Sequence, residues 1–211
     1  MKQERSQVTR DRLMRAAGEV FARAGYEAAT LAEIAKRAGV TTGALYFTFE
    51  GKEDLAACLI EREAEIAYAA AQDALSRPGE ALESMVRLSL DWANLIMTDP
   101  VVAAGVRLIL ECPDLLKEIS MPYTHWVSTT EELLRRAQAN GELSIPIDTS
   151  NIAFIFTSAF VGVDLLSGAV NAREQFITRL HVMWRILLFG VTDQTKAPRA
   201  VNLLATVAGS T

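Results

Sequence analysis

Apolar residues along this chain recur at intervals of three and four rather than two, so the pattern predicts helices throughout. In "SQVTRDRLMRAAGEVFARAGY" the apolar positions Val8, Leu13, Ala16, Ala17, Val20 and Phe21 share one helical face, and Gly25 is the expected stop. "TLAEIAKRAGV" follows as a helix of about two turns. Thr30 is its natural N-cap, Glu33 completes a capping box, Leu31, Ile34 and Ala35 form its buried face, and Gly39 closes it. Thr41 or Thr42 then caps a third short helix with Leu45 and Phe49 turned inward. A long fourth helix opens near Gly51 and Lys52.

Beyond Pro78 the segments lengthen. An amphipathic helix ends near Asp99-Pro100, a shorter one stops at Cys112-Pro113, and another runs from Pro122 to Gly141. After Pro146 come two strongly apolar helices, over about 150–170 and 172–191, and the tail from Ala197 onward is expected to form one last short helix. The fold class is therefore all-α. A small N-terminal domain (residues 1–53) of three helices carries a helix-turn-helix, and a larger helical domain fills 54–211. Helices 150–170 and 172–191 are apolar on more than one face, through Ile152, Phe154, Ile155, Phe160, Val163 and Leu166, and Phe176, Leu180, Trp184, Leu187 and Leu188. Such helices need cover on several sides, and pairing with a second copy is the economical source of it.

Charge changes the picture by its distribution. The chain carries −5 overall, which does not suggest a nucleic-acid binder. Residues 1–52, however, hold nine Lys/Arg against six acids, so a basic head precedes an acidic body and points to an anionic partner for the head alone. Cys58 and Cys112 are too few for a disulfide framework or metal site and read as small core residues in a reducing compartment. The N-terminus is charged, unlike a secretory signal. The longest uncharged run, Thr149 to Val163, is too short to span a bilayer and reads as a buried helix. His125 and His181 lie at no metal-ligand or catalytic spacing, and no HExxH, GxSxG or P-loop pattern occurs, so neither an enzyme, a metal nor a cofactor is expected.

The stretch "GVTTGALYF" meets the demands of a helix that enters the major groove. Gly39 turns the chain, Thr41 and Thr42 offer hydroxyls beside free helix-start amides, and Gly43 and Ala44 let the backbone approach base edges. Tyr46 can reach a phosphate, and Lys52 stands at the next helix start. With Thr30, Phe47 and Thr48, these are the candidate DNA-binding residues.

Over residues 8–56, "AAGEVFARAGYEAATLAEIAKRAGVTTGALYFTFEGKEDLA" resembles the tetracycline-repressor (TetR) family of bacterial regulators. Together with "VVAAGVRL" and "PYTHW", the segment "GVTTGALYFTFEGKEDLA" is most similar to the γ-butyrolactone autoregulator receptors of actinomycetes. Two departures stand out: the subfamily usually has lysine where Thr42 stands and histidine where Thr48 stands. Loss of both should weaken non-specific DNA affinity and flatten its salt dependence. The resemblance implies a homodimer formed through helices about 150–170 and 172–191, and a pseudo-palindromic double-stranded operator with half-sites roughly 34 Å apart. It further implies a small-molecule effector held in the larger domain, with no membrane involved, in a bacterial cytoplasm and on the nucleoid when bound to its operator. The effector would be a γ-butyrolactone, butenolide or furan that shifts the helix beginning at Lys52 and releases the DNA. The alternative is a TetR-type sensor of amphipathic drugs or metabolites that controls efflux or metabolism.

Candidate effector contacts are Trp126, which aligns with a cavity-lining tryptophan of those receptors, with Trp92, Thr157, Ser158 and Glu63. Related receptors often carry glutamine at the position of Glu63. Asp164, isolated in an apolar helix, is expected to find a hydrogen bond at the interface or on a ligand.

Overall fold

The structure, a computed structural model, describes residues 2–118, 122–144, 146–170 and 173–192, so the tail expected to be helical lies outside the described residues. Among those described, nine α-helices occur: α1 (Lys2–Ala28), α2 (Leu31–Ala38), α3 (Thr42–Thr48), α4 (Lys52–Ser76), α5 (Ala81–Thr98), α6 (Pro100–Glu111), α7 (Pro122–Ala139), α8 (Thr149–Ala169) and α9 (Phe176–Val191). They contain no strand, in agreement with the all-α reading.

Two compact units emerge. The first comprises Met1–Tyr68 and Leu95–Pro122; the second comprises Ala69–Asn94 and Tyr123–Thr211. The division expected at residue 53 falls inside the first unit because α6 packs along α1 and binds its C-terminal end.

That end shows how side chains repair a broken helix. Gly25 takes φ 80°, ψ 175°, a conformation open to glycine, and kinks α1 before its last three residues instead of ending it. The kink frees backbone groups that a continuous helix would satisfy. Arg107 of α6 donates to the carbonyls of Ala22 (2.9 Å) and Arg23 (3.1 Å), and Glu111 accepts from the Tyr26 amide (2.7 Å). Lys52, first residue of α4, donates from Nζ to the carbonyls of Tyr26 (2.8 Å), Glu27 (3.3 Å) and Ala29 (3.3 Å), with its charge 4.4 Å from the Tyr26 ring centre.

The core of this unit joins Leu13, Ala17, Val20 and Phe21 of α1 to Ile34, Leu45, Phe49, Leu59 and Leu108. A methyl group at Gly105 would overlap Cβ of Glu63 on α4, so glycine there permits the close approach of α6 to α4.

In the second unit Leu133, Leu134, Phe156, Phe176, Leu180, Trp184 and Leu188 form the centre. Its polar contacts again sit at helix ends. Glu142 accepts from the amides of Ala81 and Leu82 (both 2.9 Å) at the start of α5, where a carboxylate also favours the helix dipole. Arg136 donates to the carbonyls of Leu75 (2.8 Å), in the last turn of α4, and Arg77 (3.0 Å), just past its end. The Trp184 indole N–H donates to Ser89 Oγ, and the Phe156 ring meets Trp184 edge-on at 5.6 Å.

Helix α8 has two apolar sides. One buries Ala153, Phe156, Asp164 and Ser167; the other leaves Phe154, Ile155, Leu165 and Leu166 exposed, and α9 exposes Val182, Ile186 and Phe189. At 21 residues α8 is longer than its uncharged run suggested, and among the described helices it alone is long and apolar enough to cross a bilayer. Asp164 on its buried side pairs with Arg173 of the same chain.

Candidate functional site

The helix-turn-helix is built from local signals. Thr30 has extended backbone and its hydroxyl accepts from the Glu33 amide at 3.2 Å. The Glu33 carboxylate pairs with Arg23 of α1, tying α2 to α1. Gly39 closes α2 in the left-handed region (φ 65°), its amide bonding back into the last turn. Of the two candidate caps for α3, Thr41 is the one used: its hydroxyl accepts from the Ala44 amide at 3.2 Å. Arg37 pairs with Glu19, and Arg12 donates to the Ala38 carbonyl, so two further cations brace α2 against α1.

This bracing presents α3 by one face only. Leu45 and Phe49 are buried, as their spacing predicts, while Thr42, Gly43, Tyr46 and Phe47 are exposed. Phe47 is the extreme case, with 90% of its surface open to solvent. Burying such a ring would yield a large hydrophobic gain, so its full exposure marks a surface shaped for something outside the chain. Gly43 makes the same point by contrast with Gly105. Around Gly43 the nearest atom to an added methyl is the Thr41 hydroxyl at 3.9 Å, so nothing inside the protein requires glycine there. Ala44 is half-buried, and Thr48 donates its hydroxyl proton to the Ala44 carbonyl at 3.0 Å.

Several basic residues of this unit make contacts within the protein. Lys52 is engaged with three carbonyls, as above. Arg10 lies 4.7 Å from the centre of the Phe49 ring and donates to Cys58 Sγ at 3.3 Å. Arg15 is largely exposed, 3.7 Å from Glu19. Cys58 and Cys112 are free thiols, half-buried rather than core. Cys58 lines an open groove of about 620 Å³ between α1 and α4, and burial pushes its pKa up against the opposing effect of Arg10.

In the second unit Trp92 of α5 and Trp126 of α7 lie together, ring centres 5.0 Å apart and planes inclined by 54°. Trp92 is buried and Trp126 partly open. Thr157 of α8 donates its hydroxyl to that of Thr130 at 3.4 Å, and Thr130 stands one turn beyond Trp126 on α7. Trp126 and Thr157 are thus linked through α7. Ser158 is exposed on α8 and does not join them. Thr130 escapes a reading by composition because threonines one turn from a tryptophan are ordinary on an amphipathic helix.

Glu63, in the first unit, is only 2% exposed, and its Oε2 has no hydrogen-bond partner. Burial without a nearby charge pushes its pKa up to about 7. His181 of α9 is likewise buried with an unpartnered Nε2, and burial holds its pKa down, favouring the neutral ring. Asp164 is held above the usual carboxylate range by burial, opposed by Arg173. Among the described residues no cluster of His, Cys, Asp or Glu could hold a metal ion.

Comparison with known proteins fits this geometry. Residues 13–58 match the family model for bacterial regulatory proteins of the tetR family, and residues 79–193 match that for the tetracyclin repressor-like C-terminal domain. This chain belongs to the TetR family. It is 31% identical over 187 residues to the A-factor receptor protein of Streptomyces griseus, an alignment covering 89% of this chain and 65% of that protein. Similarity to the transcriptional regulator SrpR of Pseudomonas putida is also 31%, over 79% of this chain and 78% of SrpR.

Among solved structures, a gamma-butyrolactone receptor (ArpA-like protein) superposes with TM-score 0.84 at 33% identity, over 98% of this chain and 100% of the receptor. The TetR-family protein CprB from Streptomyces coelicolor, solved with its biological operator sequence, gives TM-score 0.81 at 33% identity, over 98% of this chain and all of CprB. SrpR and UidR are transcriptional regulators, and the solved neighbours include γ-butyrolactone receptors.

Proposed function

We propose that this protein is a homodimeric, ligand-responsive transcriptional repressor that leaves its operator when a small γ-butyrolactone-type (or butenolide or furan) signal binds. The observation that carries the reading is the pairing of two differently placed surfaces in one TetR-family chain: the exposed face of α3 and the Trp92–Trp126 pair flanked by the Thr157–Thr130 hydroxyls. Trp126, packed on the buried Trp92, offers a partly open apolar ring to an alkyl chain, and nearby hydroxyls suit a lactone or furan oxygen. The likeness to gamma-butyrolactone receptors supports the same effector class.

In this reading residues 1–53 form the DNA-binding domain, and Thr30, Thr41, Thr42, Gly43, Ala44, Tyr46, Phe47 and Thr48 face a pseudo-palindromic operator. Lys52 contributes indirectly, by holding the end of α1. The exposed faces of α8 and α9 pair with those of a second copy, since a dimer spaces two recognition helices for two half-sites. The effector region centres on Trp126, Trp92 and Thr157, with Ser158 outside it. Effector binding shifts α4, alters the separation of the heads and releases DNA. A preference of a few kcal/mol for the released conformation is enough to lower operator occupancy by orders of magnitude. The protein works in the bacterial cytoplasm and catalyses no reaction.

Glu63 favours a second reading. A buried carboxyl with an unoccupied oxygen suits a cationic amphiphile, so a sensor of amphipathic drugs or metabolites is the rival. A gel shift on DNA flanking the protein's own gene decides between them. Release by one butyrolactone, butenolide or alkyl furan is the expected result. Release by cationic amphiphiles alone would establish the rival, and a band indifferent to every compound would overturn effector control.

A further inference from the structure

The chemistry of the exposed α3 face is unusual for a helix that selects a DNA sequence. Direct readout relies chiefly on Arg or Lys against guanine and Asn or Gln against adenine, each reaching two atoms of one base. Residues 38–49, "AGVTTGALYFTF", contain no Arg, Lys, His, Asn, Gln, Asp or Glu. The donors left are hydroxyls, and two of those are engaged within the helix: Thr41 accepts from the Ala44 amide and Thr48 donates to the Ala44 carbonyl. What the face does offer is apolar: Gly43, Tyr46 at 57% exposure and Phe47 at 90%. The one base-edge feature in the major groove that an apolar group recognises is the 5-methyl of thymine.

Resting on the DNA-binding reading above, we propose that Phe47 is a specificity-determining residue that packs on a thymine 5-methyl group in each operator half-site. Selection at that base pair then depends on a methyl contact, with no two-point hydrogen bond to a purine. Three features converge on this contact. The ring is held clear of the protein; Leu45 and Phe49 on the opposite face anchor α3; and Gly43 leaves space through which the backbone can come close.

The test uses the full-length protein and the duplex it enriches from a random pool. Each thymine of the half-site is replaced in turn by deoxyuridine, which removes the methyl and keeps the base-pairing hydrogen bonds. Affinity is read by fluorescence anisotropy at one fixed salt concentration, because phosphate contacts make absolute affinities salt-dependent. One thymine position is expected to show a loss of about fourfold when changed in a single half-site and about fifteenfold when changed in both, the scale of burying one methyl-sized group per site. With Phe47→Ala that dependence vanishes, and with Phe47→Leu part of it remains. Since Phe47 is exposed, both variants should melt like the parent protein. If deoxyuridine is tolerated at every position, or costs the same with Phe47→Ala, the methyl contact is refuted while operator binding stands. If no duplex is enriched at all, the DNA-binding reading falls and takes this one with it.

Discussion

Two stretches of surface are left apolar by this fold, and they differ in width and chemistry. On α3 the exposed residues are a phenyl ring, a phenol, a threonine and a glycine, on a helix of seven residues. On α8 and α9 they are aliphatic side chains and two phenyl rings spread over two long helices, among them Leu166 at 62% and Ile186 at 65% exposure. The first face is narrow, carries hydroxyls and suits a grooved polyanion with methyl groups on its floor. The second resembles half of a hydrophobic core, the character of permanent protein interfaces. Glu63 is an interior counterpart: a polar group for which the protein supplies no partner.

The broad face is the place for the largest effect. Leu166→Asp combined with Ile186→Asp should leave helix content intact but yield monomers in sedimentation. Operator affinity should fall by about a hundredfold or more, because the second half-site contact is no longer tethered to the first. An unchanged dimer would remove the distinction between the two faces.

Glu63 comes next. Its folded pKa of about 7 lies above the ordinary value of 4.5, so the folded state holds the proton more tightly than the unfolded one. The contribution of Glu63 to stability is therefore greatest below pH 4.5, is lost as pH rises through 7, and by pH 8 has fallen by up to about 3 kcal/mol. Glu63→Gln should abolish that decline and stabilise the protein at pH 8, as read by urea unfolding at pH 5 and pH 8 in both proteins.

A pair of glycines sharpens the contrast between inside and outside. Gly105→Ala should cost about 1–3 kcal/mol, since the new methyl overlaps Glu63. Gly43→Ala should leave the melting temperature unchanged or slightly raised, since it sits in open helix, yet weaken operator binding. Equal stability losses at both positions would mean that Gly43 serves the fold. Smallest of all, Arg62→Ala removes an exposed ion pair with Glu65 and should change stability by under about 0.5 kcal/mol in thermal melts.

The head was legible because its signals are local. Thr30, Gly39 and Thr41 act on amides within a few residues, and the inward pair Leu45 and Phe49 follows from helical spacing alone. The roles of the cations were not legible. Lys52 and Arg107 bind carbonyls released by the Gly25 kink, which lie 23 or more residues away in sequence, and spacing carries no trace of a partner so distant. The burial of Glu63 was hidden for a different reason: "EREAE" reads as a run of solvated charges, and only the approach of Gly105 reveals that this one is enclosed. Thr130 became visible only when α7 and α8 were placed side by side.

The repaired break in α1 also has a mechanical meaning. Because Lys52 ties the start of α4, and Arg107 and Glu111 tie α6, to backbone groups of one short segment from Ala22 to Ala29, those three helices are riveted there. Neither α4 nor α6 can slide along α1 without stripping several hydrogen bonds at once. The exposed face of α3 therefore stands on a unit whose three long helices are pinned together.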